Sequence, residues 1–199
     1  MQTPKKSNVL GYLIAGGQAT RMGGVNKATV PFHGTPMGQL VIRALAAQTA
    51  EVWVSANRDE EIFESYGARR VLADRLEGFL GPLAGLEALD DQMPPEYEWI
   101  LIAPCDVPAL PTTMVEFFAK HYAEDPSTVL TVRADGRTHN TIALVNRVIL
   151  PTVRPTLLEG DSKVGLWMKE MGAKVCDWPD EGACFSNVNT LEELKLLEK

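Results

Sequence analysis

The chain has 199 residues, a formal net charge of -7 and 45% hydrophobic residues. This length favours one domain over residues 1–199, and the composition is typical of a soluble globular protein with a substantial core. The negative charge argues against nucleic-acid binding through a broad basic surface. No apolar run approaches the ~20 residues that a membrane span needs. Three scattered cysteines are too few for a disulfide framework and favour the cytoplasm.

The first half of the chain alternates apolar strand-like runs with helical stretches, after polar residues 1–8, which are expected to be flexible. Predicted strands are Val9–Ile14, residues 51–55, Arg70–Leu72 and residues 98–103. Predicted helices are Met37–Gln48, residues 59–65, residues 82–91 and residues 110–121. Strand–helix–strand units at this spacing predict an α/β protein with a mainly parallel sheet and helices on both faces.

The second half of the chain is less regular. It contains predicted strands at residues 128–133, 141–145 and 174–176, and predicted helices at residues 147–158, 162–171 and 190–198. Ligands bind beyond the carboxyl ends of the strands in parallel sheets. The loops after Ile14, Leu72 and Ala103 are therefore expected to lie side by side at one edge.

A glycine-rich loop follows the first predicted strand, in the run LIAGGQATRMGGVNK at residues 13–27. Gly16 and Gly17 allow backbone N–H groups to approach an anion, and Arg21 and Lys27 supply positive charge. The run is not a Walker A motif, since Ala28 follows the lysine, and it is not G-x-G-x-x-G. It predicts a polyphosphate-binding loop, against the alternative of a flexible connection with two solvated cations.

Two acidic residues follow predicted strands at the same edge. Asp106, in IAPCDVP, could hold Mg²⁺ together with phosphate oxygens, or simply end a turn. Asp74 precedes the glycine-rich run GFLGPLAG, which could approach a base or ribose, or merely form a tight turn with a glycine that permits close helix packing. Near the end of the chain, Asn187 and Asn189 alternate in FSNVNT and could reach a ligand or cap a turn. Cys105 is interpreted as a small buried thiol rather than a nucleophile.

These motifs, together with HNTIALVN and EGDSKVGLWM, resemble the MobA family of nucleotidyltransferases in their order and context. The resemblance extends over nearly the whole chain. It implies a Rossmann-like three-layer fold and a cytoplasmic enzyme that transfers GMP from Mg-GTP to the phosphate of molybdopterin cofactor and releases pyrophosphate. It also implies Mg²⁺ as the metal, with Mn²⁺ as a substitute, and cofactor-insertion proteins and molybdoenzyme chaperones as further partners.

The resemblance also implies roles for individual residues. Arg21, Lys27 and Asp106 are the expected catalytic residues, and Asp106 is also the expected metal ligand. The expected GTP-binding residues are Leu13, Ala15, Gly16, Gly17, Arg21, Gly24, Lys27, Asp74, Gly81, Pro82 and Asp106. Asn187 and Asn189 are expected on the pterin side.

Two positions depart from the family pattern, and other activities remain open. Asn26 stands where the family usually has aspartate, and Ala28 where glycine is common. The alternatives within the fold are a CTP-dependent cytidylyltransferase and a sugar-phosphate nucleotidylyltransferase. An alternative of another class is a delivery protein that binds the pterin cofactor without turnover.

Overall fold

The computed structural model describes residues 1–16, 26–78, 81–188 and 193. Within them the strands are β1 (Val9–Ile14), β2 (Pro31–Phe32), β3 (Thr35–Pro36), β4 (Val52–Ser55), β5 (Arg70–Leu72), β6 (Trp99–Pro104), β7 (Val129–Ala134), β8 (Arg137–Asn146) and β9 (Lys174–Asp177). The helices are α1 (Met37–Gln48), α2 (Glu60–Ser65), α3 (Pro82–Leu89), α4 (Met114–Glu124), α5 (Val153–Leu158) and α6 (Val164–Glu170). Short 3₁₀ helices include Lys27–Thr29, Arg147–Thr152 and Gly182–Phe185.

Seven of these strands form one sheet in the order β5-β4-β1-β6-β8-β7-β9. Strands β5, β4, β1 and β6 are mutually parallel, whereas β8 runs antiparallel to both β6 and β7. Strand β9 returns parallel to β7. The mainly parallel sheet predicted from the sequence is therefore confirmed, and an antiparallel hairpin interrupts it at one place.

Both faces of the sheet are covered because its central strands, β1 and β6, consist almost entirely of buried apolar residues. In β1, Val9 and Leu13 pack on one face, with side chains from α1, α2 and α4. Leu10 and Ile14 pack on the other face, with side chains from α3, α5 and α6. Successive side chains of a strand point to opposite faces, so a continuous apolar run builds two cores. This arrangement confirms the three-layer architecture.

The predicted and observed elements agree best near the start of the chain, where β1, α1 and β5 have the predicted bounds. Helix α4 begins at Met114 rather than at residue 110. The buried Gln48 explains the difference, because its amide donates to the carbonyl of Pro111 and its Oε1 accepts from the N–H of Val115. Residues 110–113 are thereby held as a turn. Strand β8 begins at Arg137, four residues before the predicted start at residue 141.

The amino-terminal residues, expected to be flexible, make several contacts with the start of β6. The N–H of Gln2 donates to the carboxylate of Glu98, and its carbonyl accepts from the indole of Trp99. Asn8 is buried, and its side-chain oxygen accepts a hydrogen bond from the N–H of Lys5. The segment is thus anchored to the sheet.

The predicted final helix over residues 190–198 lies outside the described residues, apart from Glu193, which is helical. Among the described helices, none has the length and apolar character that crossing a membrane requires.

Candidate functional site

Four parallel strands end at one edge of the sheet, and their loops build the candidate site. The register aligns Ile14 of β1 with Ser55 of β4 and with Pro104 of β6, and Ser55 in turn with Leu72 of β5. The loops after β1, β5 and β6 therefore share an edge, as the sequence predicts. Strand β4 lies between β1 and β5, so the loop after β4 also reaches this edge.

A charged cluster forms where three distant segments meet at this edge. The ammonium of Lys27 lies 3.0 Å from Oδ2 of Asp106, and the amide of Asn187 donates to Oδ1 of the same carboxylate at 3.1 Å. The N–H of Val188 donates to the carbonyl of Asp106 at 2.9 Å. Both charged side chains are mostly buried, so water screens their interaction only in part. Three of the residues predicted for the site are thus in direct contact.

Asn26 positions Lys27 at the start of a 3₁₀ helix. Its side-chain oxygen accepts from the N–H of Ala28 at 3.0 Å, and its amide donates to Oδ2 of Asp59 at 2.7 Å. An aspartate at this position would place a second carboxylate against Asp59, and like charges at that distance repel. The asparagine in place of the usual aspartate therefore avoids this repulsion and donates a hydrogen bond to the loop after β4 instead.

Asp74 is held by Asn57, which follows β4. The amide of Asn57 donates to Oδ2 of Asp74, and its side-chain oxygen accepts from the N–H of Asp74, both at 2.8 Å. These paired bonds fix both the backbone and the carboxylate of Asp74. Sequence reasoning missed Asn57, although its place directly after a strand at the ligand edge was a usable signal.

The amino-terminal end of α3, which follows the loop after β5, also contributes to the candidate site. Gly81 precedes α3 with φ of 70°, a conformation that favours glycine, and Pro82 occupies the first turn of the helix. The buried hydroxyl of Tyr12 donates to the carbonyl of Gly85 at 2.7 Å, and burial raises the pKa of that hydroxyl, which keeps its proton. Helix α3 is thereby tied to β1.

Ser55 lies between Gly16 and α3. A Cβ added at Gly16 would lie 3.7 Å from the Ser55 hydroxyl oxygen, and one added at Gly85 would lie 2.9 Å from Ser55 Cβ. The absence of a side chain at Gly85 therefore lets α3 approach β4 closely. A glycine that permits close helix packing is the structural alternative that the sequence offered for this run. Its partner Ser55 was not predicted, because no local pattern connects residue 55 to residue 85.

The remaining predicted residues divide into two groups. Leu13 is fully buried in the core and Ala15 is half-buried, so their backbone rather than their side chains faces the edge. The N–H of Ala15 donates to the carbonyl of Ser55 at 2.9 Å. The other group lies outside the described residues and comprises Gly17, Arg21, Gly24 and Asn189.

Two chemistries can be judged from the site's own residues. Burial and the neighbouring Asp106 raise the pKa of the Cys105 thiol to about 12, so the thiolate needed for nucleophilic attack does not form near neutral pH. Among the described residues, no three histidine, cysteine or acidic side chains converge on one point. The single carboxylate of Asp106 nevertheless fits a hard cation such as Mg²⁺, which fills its coordination sphere with water and phosphate oxygens.

The family of MobA-like NTP transferase domains matches this chain over residues 11–175. Relatives include the molybdenum cofactor guanylyltransferase of Photobacterium profundum, 36% identical over 197 residues that cover 96% of each chain. The molybdenum cofactor guanylyltransferase of Vibrio parahaemolyticus is 34% identical over 182 residues, which cover 92% of this chain and 91% of the relative.

Solved structures show the same fold at lower identity. Molybdopterin-guanine dinucleotide biosynthesis protein A from Archaeoglobus fulgidus superposes with a TM-score of 0.75 at 19% identity, over 95% of this chain and 96% of that protein. A Mycobacterium tuberculosis protein solved in complex with manganese gives a TM-score of 0.68 at 16% identity, over 96% of this chain and 97% of that protein.

Proposed function

Because this chain belongs to the family of MobA-like NTP transferase domains, it is a nucleotidyltransferase, and we propose that it transfers GMP from GTP to molybdopterin cofactor. The acceptor is the phosphate of the pterin cofactor, and the second product is pyrophosphate. The guanylyltransferase name of the relatives supports GTP as the nucleotide. The observation that carries the proposal is the cluster of Lys27, Asp106 and Asn187 at the carboxyl edge of the parallel strands.

The nucleotide side of the site is proposed to follow the loops from β1 to α3. The triphosphate would lie against the backbone from Leu13 and Ala15 through the glycine-rich loop, and the nucleoside against the loop that ends at α3. The residues assigned to GTP are Leu13, Ala15, Gly16, Gly17, Arg21, Gly24, Lys27, Asp74, Gly81, Pro82 and Asp106. The hydrogen-bonded position of Asp74 supports its role beside the ribose or base.

The reaction joins two anions, so neutralising and positioning charge are the main demands on the protein. An oxygen of the acceptor phosphate forms a bond to the α-phosphorus, and the bond from that phosphorus to the leaving pyrophosphate oxygen breaks. An ionised phosphate is already a nucleophile, so no general base is required. Lys27 and Arg21 would offset the charge that builds up on the pyrophosphate.

Lys27 is suited to this role because of its present partner. Its ammonium is held 3.0 Å from Asp106 at the edge of the site, so the positive charge is already oriented toward the place where a metal-bound phosphate would lie. A lysine ammonium is a mobile point charge with three donors. It can therefore contact a phosphate oxygen without leaving the neighbourhood of the carboxylate.

The metal is proposed to be Mg²⁺, for which Mn²⁺ would substitute. Asp106 would hold it, and the bound ion would supply positive charge to the phosphate oxygens. Asn187 donates to Oδ1 of the carboxylate while Lys27 donates to Oδ2, and the two bonds together keep the carboxylate in one orientation. This contact also supports a place for Asn187, with Asn189, on the pterin side of the cluster.

Three further aspects complete the proposal. They are the cytoplasm as the site of action, cofactor-insertion proteins and molybdoenzyme chaperones as partners, and one domain over residues 1–199. The common sheet that carries all the described loops of the site supports the last of these.

The test is a nucleotide titration of the purified protein with molybdopterin cofactor and Mg²⁺, measured as pyrophosphate release. We expect turnover with GTP, and a much lower kcat/KM with CTP. Asp106→Asn, which keeps the shape of the side chain and a hydrogen-bond acceptor, should lose turnover by about 10²-fold or more. Comparable use of CTP and GTP would contradict the guanylyl assignment, and pyrophosphate release at the normal rate by Asp106→Asn would contradict the role of Asp106.

A further inference from the structure

A buried carboxylate lies on α3, outside the charged cluster of the site. Glu87 is only 1% exposed, in a helix whose other positions are mostly apolar. The guanidinium of Arg75 donates to its Oε2 at 3.2 Å, and the guanidinium of Arg154 donates to its Oε1 at 2.6 Å. A buried ionised carboxylate requires such partners, because loss of hydration is otherwise costly. Each oxygen of Glu87 therefore has its own arginine.

All three guanidinium nitrogens of Arg75 donate hydrogen bonds to α3 or to the turn that follows it. Besides the bond to the Glu87 carboxylate, its Nη2 donates to the carbonyl of Glu87 at 2.6 Å. Its Nη1 lies 2.7 Å from both carboxylate oxygens of Asp91. A planar guanidinium held at several points has one orientation only. The backbone at residue 75 is consequently clamped to α3.

This clamp is adjacent to the proposed nucleotide residue. Asp74 immediately precedes Arg75, and Asn57 holds Asp74 from the side of β4 with two hydrogen bonds. Asp74 is therefore fixed on one side by Asn57 and on the other by Arg75. Asn57 is exposed and Asp74 is half-buried, so the buried end of this arrangement is Glu87.

We propose that Arg75 and Glu87 are positioning residues that set the place of Asp74 for nucleotide binding. This inference rests on the proposed function of Asp74. Arg154 extends the clamp to α5, so two helices on one face of the sheet jointly fix the loop after β5. Neither Arg75 nor Glu87 contacts Lys27 or Asp106, which lie on other loops. The clamp is thus expected to govern nucleotide affinity and to leave the reacting groups unchanged.

The chain contains a matched arginine that ties the same regions together without touching Asp74. Arg70, on β5, donates to Oε1 of Gln92 behind α3 at 3.0 Å, and its guanidinium lies 4.5 Å from the centre of the Trp53 ring. It therefore contributes packing between β5 and the end of α3. A purely structural role for arginines in this region would make Arg70 and Arg75 equivalent.

The experiment compares Arg75→Met and Glu87→Gln with Arg70→Met and the unaltered protein. GTP is titrated at saturating molybdopterin and Mg²⁺, with pyrophosphate release giving KM and kcat, and GTP binding is measured separately by calorimetry. We expect Arg75→Met to raise KM and Kd for GTP by about tenfold, because a misplaced binding group weakens affinity. Glu87→Gln should act in the same direction, and kcat and the KM for molybdopterin should stay within about twofold.

Arg70→Met should leave KM and Kd for GTP unchanged, whatever it does to the melting temperature. The inference is overturned if Arg75→Met and Arg70→Met affect GTP equally, or if kcat falls in Arg75→Met while KM does not change. Glu87→Gln replaces the carboxylate by a side chain of equal size, and it decides the question if Arg75→Met does not fold. If the unaltered protein releases no pyrophosphate, the proposed function fails, while the calorimetric comparison still decides the role of Arg75.

Discussion

Strand β6 divides the sheet into two regions that differ in how their charged groups are used. On one side, β5, β4, β1 and β6 run parallel, and their loops bring Lys27, Asp74 and Asp106 to one edge. On the other side, β7 and β8 form a hairpin, β9 pairs in parallel with β7, and the carboxylates of the ion pairs are exposed. We call these the parallel region and the hairpin region. The parallel region holds carboxylates that are mostly or fully buried, Asp106 and Glu87, whereas the carboxylates of the ion pairs in the hairpin region, Asp125 and Asp177, are exposed.

Two arginine–carboxylate pairs make the difference concrete. Arg133 lies 2.6 Å from Asp177 in the hairpin region, and Arg75 lies 3.2 Å from Glu87 in the parallel region. The shorter pair has a carboxylate that is 67% exposed, while the carboxylate of the longer pair is 1% exposed. Exposed ion pairs contribute little, because water and salt screen them. Burial, rather than distance, therefore decides which pair matters.

The largest expected difference between the regions concerns turnover. Lys27→Met should reduce pyrophosphate release by about 10³-fold, because the charge that we propose to neutralise the leaving group is lost. Lys174 is a matched control in the hairpin region, since its ammonium also faces an aspartate, Asp125, at 3.5 Å and has similar exposure. Lys174→Met should leave turnover unchanged. Equal losses in both variants would erase the distinction, as would a large loss of thermal stability in Lys27→Met alone.

The second difference concerns stability. Arg75→Met should lower the free energy of unfolding by about 2 kcal/mol, because the substitution leaves the buried Glu87 with one arginine fewer. This value is smaller than for a fully buried ion pair, because Arg75 is one-third exposed and water screens its charge. Arg133→Met, in the exposed pair, should not move the urea midpoint measurably. Urea titration followed by circular dichroism provides the measurement. A larger shift for Arg133→Met would show that distance outweighs burial.

The third difference concerns two helical glycines. A Cβ at Gly85 would meet the buried Ser55 at its Cβ and hydroxyl, and these atoms cannot move away. A Cβ at Gly165 would lie 2.7 Å from the amide nitrogen of Asn140, the far end of a flexible side chain. Gly85→Ala should therefore destabilise the protein by about 1 kcal/mol. Alanine has the better helix propensity, but the steric clash with Ser55 costs more than this propensity gains. Gly165→Ala should be neutral in the same thermal melts, and the reverse order would contradict this account.

The smallest expected effect is a pH dependence confined to the hairpin region. Burial and the nearby Arg137 lower the pKa of His139, and Asp135 opposes them. As pH falls through about 6.5, the unfolded chain takes up a proton that the folded protein resists, so stability is lost on acidification. His139→Gln should lessen the fall in melting temperature between about pH 7.5 and 5. His121→Gln, which removes a histidine from α4, is the control, and an unchanged slope in His139→Gln would refute the prediction.

The two regions also differ in how far the sequence predicts them. The bounds of β1 and α1 follow from apolar runs with clear periodicity, and the shared edge follows from the parallel arrangement alone. The early start of β8 was missed because its first residues are polar and half-exposed, so they carry no strand pattern. Their pairing with β7 supplies the order that local propensity lacks.

The candidate site was predicted as a set of loops but not as a set of contacts. The sequence indicates that Lys27, Asp106 and Asn187 share a site, yet it does not show that one carboxylate is held from both sides. The contacts of Glu87 could not be predicted from the sequence. A glutamate in an apolar helix is recognised as an ion-paired residue only when the structure shows the two arginines that pack against it. Such contacts join residues far apart in the chain, where no local rule applies.

The hydrogen bond between Asn187 and Asp106 joins residues 81 positions apart, so it cannot form until both residues have been synthesised. Translation delivers the strands that carry the nucleotide loops first, and domains fold as the chain emerges. A nascent chain that has reached β6 already possesses Lys27 and Asp106, but the segment that orients the carboxylate has yet to leave the ribosome. The proposed site is therefore complete only after the segment that carries Asn187 has been synthesised and has packed against Asp106.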